Sequence, residues 1–105
     1  MEKENNMNEL INKIIEWGFA RKITINGQPM TQAIKTLEET HELLEAINKD
    51  DKKETMDAIG DIVVTLIMQC ELQDFDLQDC IQAAYNEIEH RKGYLNSVGD
   101  FIKDE

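Results

Sequence analysis

The stretch DKKETMDAIGDIVVTLIMQCEL, Asp51 to Leu72, decides how the rest of the chain reads. It contains no proline, and Asp51 stands where a helix wants its N-cap, so the stretch predicts one long helix. At about 100° per residue, Met56, Ile59, Val63, Leu66, Ile67 and Cys70 fall on one apolar stripe. Glu54, Asp57, Asp61, Val64 and Met68 make a second stripe on the opposite side, acidic at its start and apolar at its end. A helix apolar on two sides belongs at the centre of a fold. Its carboxylates are then expected to point toward another helix and not simply into water.

The helix before it is expected from Met30 or Thr31 to about Asn48, with Ala33, Ile34, Leu37, Leu44 and Ile47 as its core stripe. Gln32, Lys35, Glu39, Glu42 and Ala46 line another face, and Glu38 flanks Glu42. The short Lys49–Asp51 connection makes antiparallel packing of the two helices the natural arrangement. Whether their acidic faces meet depends on helix rotation. Further out, a first helix is expected from Asn6 to Phe19, then a polar loop holding Asn26-Gly27 and Pro29. Asp76 caps a fourth helix reaching about Tyr94, with Leu77, Cys80, Ile81, Ala84 and Ile88 as its stripe. Residues 95–105 read as a docked tail. With one proline and five glycines in 105 residues, the expectation is an all-α, four-helix core forming a single domain over 1–105.

The formal charge is −11, from 22 acidic and 11 basic residues. No basic stripe offsets it, so a nucleic-acid polymer is excluded as partner, whereas a free nucleotide bridged by a cation is not. The start, Met1 to Asn8, is polar and carries no secretory signal, and the apolar run Ile62–Met68 is far too short to span a bilayer. Cys70 and Cys80 lack metal-ligand spacing and read as reduced core thiols. These readings place the protein in the cytoplasm, away from membranes.

Glu38-Glu39-x-x-Glu42 and Glu54-x-x-Asp57-x-x-x-Asp61 are the chemically informative residues. Carboxylates gathered between facing helices repel one another, and a hard divalent cation with a preference for oxygen ligands removes that cost. The expectation is Mg²⁺-dependent phosphate chemistry, with Mn²⁺ as substitute. There is no Gly-rich phosphate loop, and two histidines give no convincing Ser/Cys–His nucleophile. The stretch Asp50 to Asp61 is no EF-hand, because Thr55 stands where the calcium loop needs glycine. His41 falls on the apolar side of its helix and reads as a core histidine.

In order along the chain, Trp17, Arg21, Asn26-Gly27, Pro29, Gln32, Lys35, Glu38-Glu39, Glu42-Leu43, Ala46-Ile47 and Gly60-Asp61 resemble the MazG-like all-α nucleoside triphosphate pyrophosphohydrolases, in their short, phage-type form. Asn86-Glu87-Ile88, Arg91-Lys92-Gly93 and Gly99 to Lys103 extend the resemblance over most of the chain. It implies hydrolysis of a (deoxy)nucleoside triphosphate to monophosphate and pyrophosphate, a house-cleaning role in the nucleotide pool, and assembly as a homodimer or homotetramer. It also implies metal ligation by Glu39, Glu42 and Asp61, and a water-positioning or water-activating role for Glu38. Lys35, Asn86 and Arg91 match phosphate-facing positions. One position departs: Ala58 stands where the family carries a glutamate. Asp57 is the nearest substitute, with Glu54 a further metal candidate.

Simpler readings stand beside these. Lys35 is also placed to pair with Glu38 or Glu39 along the helix, and Arg91 can be structural. Trp17 and Phe19 fit a core or interface as well as a surface for stacking a base. Ala58 supports a second class of function, a catalytically weak or inactive helical interaction or regulatory module of the same fold.

Overall fold

A computed structural model describes residues 6–104; residues 1–5 of the polar start and Glu105 lie outside the described residues. The helices are α1 (Met7–Ala20), α2 (Ile23–Asn26), α3 (Pro29–Asn48), α4 (Lys52–Leu72) and α5 (Leu77–Ile88), followed by the short strands β1 (Gly93–Leu95) and β2 (Phe101–Lys103). The all-α expectation holds. Helix starts fall where the side chains satisfy orphan amides. Asn6 accepts from the Glu9 amide at 2.8 Å, Asp51 from that of Glu54 at 3.0 Å, and Asp76 from that of Gln78 at 2.9 Å. Pro29 opens α3, where its missing N–H costs nothing. The one unforeseen helix is α2: Lys22 takes a left-handed φ of 63°, and the next residues close a single turn, Gly27 N donating to Ile23 O at 2.9 Å.

The chain divides into two compact units between Phe75 and Asp76. In the first, α3 and α4 fold back on each other through a tight turn at Asp50, whose φ is 53°. Three cross-links fix the antiparallel register. Gln69 Nε2 donates to Pro29 O at 3.2 Å, Gln32 Nε2 to Thr65 O at 3.2 Å, and Thr36 Oγ1 to Thr65 Oγ1 at 2.9 Å. Ala46, Ala58, Thr65, Ile67, Met68 and Cys70 are the buried positions of these two helices. Helix α1 packs on α4 at Gly18. A Cβ there would run into Met68 Sδ and lie 2.7 Å from the Met68 terminal methyl. A larger residue there would require the end of the Met68 side chain to move.

Burial overturns much of the expected core stripes, although Ile67 and Cys70 of the α4 stripe are buried as expected. Ile34, Leu37, Leu44 and Ile47 of α3 and Met56, Ile59, Val63 and Leu66 of α4, read as core, are exposed. His41, read as a core histidine, lies out with them, its side chain 72% exposed and 3.5 Å from Glu45. The face of α4 that packs is the acidic-to-apolar one, where Met68 is buried and Asp61 and Val64 are half-buried. Periodicity identifies both faces but does not say which one a neighbour covers, and small Ala46 and Ala58 let the helices close on the polar side.

In the second unit, α5 stops at Ile88 instead of Tyr94, and β1 pairs antiparallel with β2, Tyr94 opposite Ile102. Gly93 is what this pairing needs. A Cβ on it would strike Ile102 O and lie 2.6 Å from the Phe101 ring. Asn96 Oδ1 accepts from the Val98 and Asp100 amides at 3.1 and 2.9 Å, closing a turn that includes Gly99 at φ 87°. The stretch read as a docked tail thus supplies the second strand of a ribbon. Cys70 is buried as expected, but Cys80 is exposed on α5. Among the described residues no helix is long and apolar enough to cross a membrane.

Candidate functional site

The α3–α4 register carries Glu39 and Glu42, one turn apart, toward Asp61. One carboxylate oxygen from each of the three lies within 4.8 Å of the others. Glu39 and Asp61 are half-buried and Glu42 is exposed. Burial is the main cause that lifts the Glu39 carboxyl above its usual range, reinforced by a hydrogen bond with Glu42 and the charges of Glu42 and Asp61. Asp61 is raised in the same way, by burial first and then by Asp57 and Glu42. Glu39 Oε2 is buried without a hydrogen-bond partner. Three mutually repelling carboxylates, one with an orphaned oxygen, make a donor set that fits a hard divalent cation.

Two cavities flank this cluster. One, of about 300 Å³, is polar and lined by Glu42, Glu45, Lys49, Glu54, Asp57, Ala58 and Asp61. The other, of about 450 Å³, is mostly apolar and is lined by Trp17, Ile23, Val64 and Met68 together with the charged Lys35, Glu39 and Asp61. Asp61 belongs to both. The carboxylates therefore stand between an acidic cavity and an apolar one.

The remaining sequence-derived candidates fall at different places. Asp57 and Glu54 line the acidic cavity, outside the three-carboxylate group. Glu38 is outside that group, exposed and 3.2 Å from the Nζ of Lys35, which lines the apolar cavity. Lys35 is engaged as the simpler reading had it, and its hydrogen bond with Glu38 is the main cause holding its ammonium above the usual range. Asn86 on α5 accepts from Gln82 Nε2 at 2.9 Å, and Arg91 follows α5, its amide donating to Ile88 O at 2.9 Å. Both belong to the second unit, whereas the carboxylates and both cavities lie wholly in the first. Ala58, in place of the expected acid, is buried in the lining of the acidic cavity.

Sequence reasoning missed Thr36 and Thr65, which interrupt helical surfaces without a motif. Thr36 Oγ1 donates to Thr65 Oγ1, which donates onward to Ile62 O at 2.7 Å. Glu45 and Lys49 were missed as cavity residues, although Lys49 follows Lys35, Glu39, Glu42 and Ala46 at helical spacing.

Neither a curated protein nor a solved structure matches the chain. The family model of the MazG nucleotide pyrophosphohydrolase domain does, over residues 28–95, which include the whole of α3 and α4 with all three clustered carboxylates. The chain belongs to the MazG nucleotide pyrophosphohydrolase family.

Proposed function

We propose that the protein hydrolyses a (deoxy)nucleoside triphosphate between its α- and β-phosphates, releasing monophosphate and pyrophosphate, with Mg²⁺ held by Glu39, Glu42 and Asp61. The observation that carries this is the approach of three carboxylate oxygens within 4.8 Å, two of them, from Glu39 and Asp61, on residues that line a mostly apolar cavity with Trp17. The cavity suits the nucleoside, and the carboxylates suit the cation that accompanies a polyphosphate.

When bound, the ion neutralises phosphate charge and lowers the pKa of water, the two needs of phosphoanhydride hydrolysis. The chain supplies position and proton handling. Glu39, Glu42 and Asp61 hold the ion, with Asp57 and then Glu54 available beside them. Glu38 takes the proton of the attacking water, and Lys35 moderates its charge and stands near the phosphates. By the family resemblance alone, Asn86 and Arg91 of the second unit match phosphate-facing positions. The anhydride breaks as the water oxygen bonds to phosphorus, and the bridging oxygen leaves with the other product.

The exposed apolar residues of α3 and α4 support a closed homo-oligomer, a dimer or a dimer of dimers, since a contiguous apolar face of this kind is seldom left in water. The cytoplasmic nucleotide pool is the assigned setting.

Buried Ala58 favours one other reading, a weakly active or inactive interaction module. Incubating the protein with Mg²⁺ and a panel of canonical and damaged nucleotides, with products identified by phosphorus NMR, separates the two. Monophosphate and pyrophosphate are expected. Orthophosphate as first product contradicts the bond assignment, and no turnover of any nucleotide with metal bound supports the interaction module.

A further inference from the structure

Helix α1 ends on two residues one turn apart, Trp17 and Arg21. The Arg21 guanidinium carbon lies 4.6 Å from the centroid of the Trp17 ring, and Arg21 Nη1 donates to the Trp17 carbonyl oxygen at 3.1 Å. Among the described residues no carboxylate forms a salt bridge with Arg21. Trp17 lines the apolar cavity beside Glu39 and Asp61; Arg21 does not. The guanidinium thus stacks on the indole of a cavity residue without lining the cavity itself. Immediately beyond, Lys22 turns the chain through its left-handed φ of 63°, and Ile23 returns to line the same cavity. Trp17 and Ile23 therefore frame the cavity from the two sides of an Arg21–Lys22 corner.

The next residue, Gly18, packs against Met68, which is also in the cavity wall. That contact fixes the backbone of Trp17 but not its side-chain torsions. Trp17 is 42% exposed, so packing covers it only in part. The Arg21 guanidinium, stacked on the ring and tied to the Trp17 carbonyl, adds a second restraint.

We propose that Arg21 is a positioning residue for the substrate: by clamping Trp17 from outside the cavity, it presents the indole as a pre-set wall for the nucleoside. The proposal rests on the nucleotide reading above. It also goes outside the matched family segment, which begins at residue 28. A wall fixed before binding spares the complex the rotamer entropy of ordering a tryptophan. Arg21 touches neither phosphate nor reacting atoms in this role. Its loss weakens nucleoside-bearing ligands and leaves base-free polyphosphate unaffected.

Trp17 is the only tryptophan in the chain, so its fluorescence reports on this wall directly. The experiment titrates full-length wild type, Arg21→Leu and Arg21→Lys, each with Mn²⁺, with α,β-methylene nucleoside triphosphates of the common bases and with inorganic tripolyphosphate. Binding of a nucleotide should alter wild-type tryptophan emission. Arg21→Leu should raise that Kd by about two- to fivefold, the equivalent of an exposed cation–π contact, with Arg21→Lys between the two. Tripolyphosphate affinity should be the same in all three. If wild type binds nucleotide and Arg21→Leu binds it equally well, or if tripolyphosphate weakens in parallel, the positioning role is overturned while the nucleotide reading stands. If tripolyphosphate binds wild type but no nucleotide does better, the nucleotide reading fails and takes the role of Arg21 with it. Arg21 as a mere helix cap would lower the melting temperature of Arg21→Leu and leave the nucleotide-to-tripolyphosphate affinity ratio unchanged.

Discussion

Gln32 reaches from α3 to donate a 3.2 Å hydrogen bond to the main-chain carbonyl of Thr65 on α4. Beside it, Thr36 and Thr65 join their hydroxyls at 2.9 Å. Thr36 is about one turn from Glu39, and Thr65 one turn from Asp61. The polar bonds that set the register of the two long helices thus lie next to the carboxylates that the register brings together.

Thr65→Val removes the acceptor for Thr36 and keeps the side chain's shape, leaving Thr36 only its longer, 3.3 Å bond to Gln32 O. The expected loss is about 1 kcal/mol of stability, the worth of one buried hydrogen bond, with Thr65→Ser retaining most of it. Urea unfolding of the metal-free proteins checks this. Equal stability of the valine and serine variants would remove the relay from the account.

Acidity supplies a second outcome. Glu39 and Asp61 are both raised in the folded, metal-free protein, burial being the first cause for each. A raised folded-state pKa contributes stability that is fully present below the unfolded pKa and is lost as pH rises through the folded value. Metal-free protein should therefore lose stability as pH climbs from the ordinary carboxylate range through the raised values of these two groups. Asp61→Asn should flatten that slope, and saturating Mg²⁺ should remove it. Thermal unfolding across pH, with and without Mg²⁺, measures all three; an equal slope in Asp61→Asn counts against the geometry.

The exposed apolar face provides the third. Leu44 and Ile47 on α3 and Met56 and Ile59 on α4 are each more than half exposed in the single chain. Leu44→Glu should convert a dimer into a monomer of 12.1 kDa with its helical content retained. Sedimentation equilibrium reads this directly, and a wild-type chain that is already monomeric at micromolar concentration contradicts the proposed assembly.

How much was legible follows physical lines. Asp51 and Asp76 were readable as caps because capping is local chemistry, whereas Asn6 was read as the first residue of its helix. Glu39, Glu42 and Asp61 were named together through the family resemblance, because helical spacing puts acids on both faces but helix rotation, which spacing does not fix, decides whether they meet. The choice of packed face was not readable. On α4 both stripes are apolar over part of their length, and burial followed the one with Asp61 and Met68, close to small Ala58. The end of α5 was missed because Gly93 acts through a strand partner, Ile102, that no local signal announces. Glu38 was read as a second acid flanking the Glu39 face, and about 100° of helical rotation does leave it outside the carboxylate group, paired with Lys35.

The central claim is that Glu39, Glu42 and Asp61 form a divalent-metal site, and calorimetric titration of Mn²⁺ into wild type and Glu42→Gln tests it most directly. Glu42 is exposed, so the amide should leave the helical fold intact while removing a ligand charge. Wild type should bind the ion, and Glu42→Gln should lose more than the roughly tenfold that even outer-shell partners of a metal are worth. An unchanged titration in Glu42→Gln, with its circular dichroism also unchanged, would contradict the account.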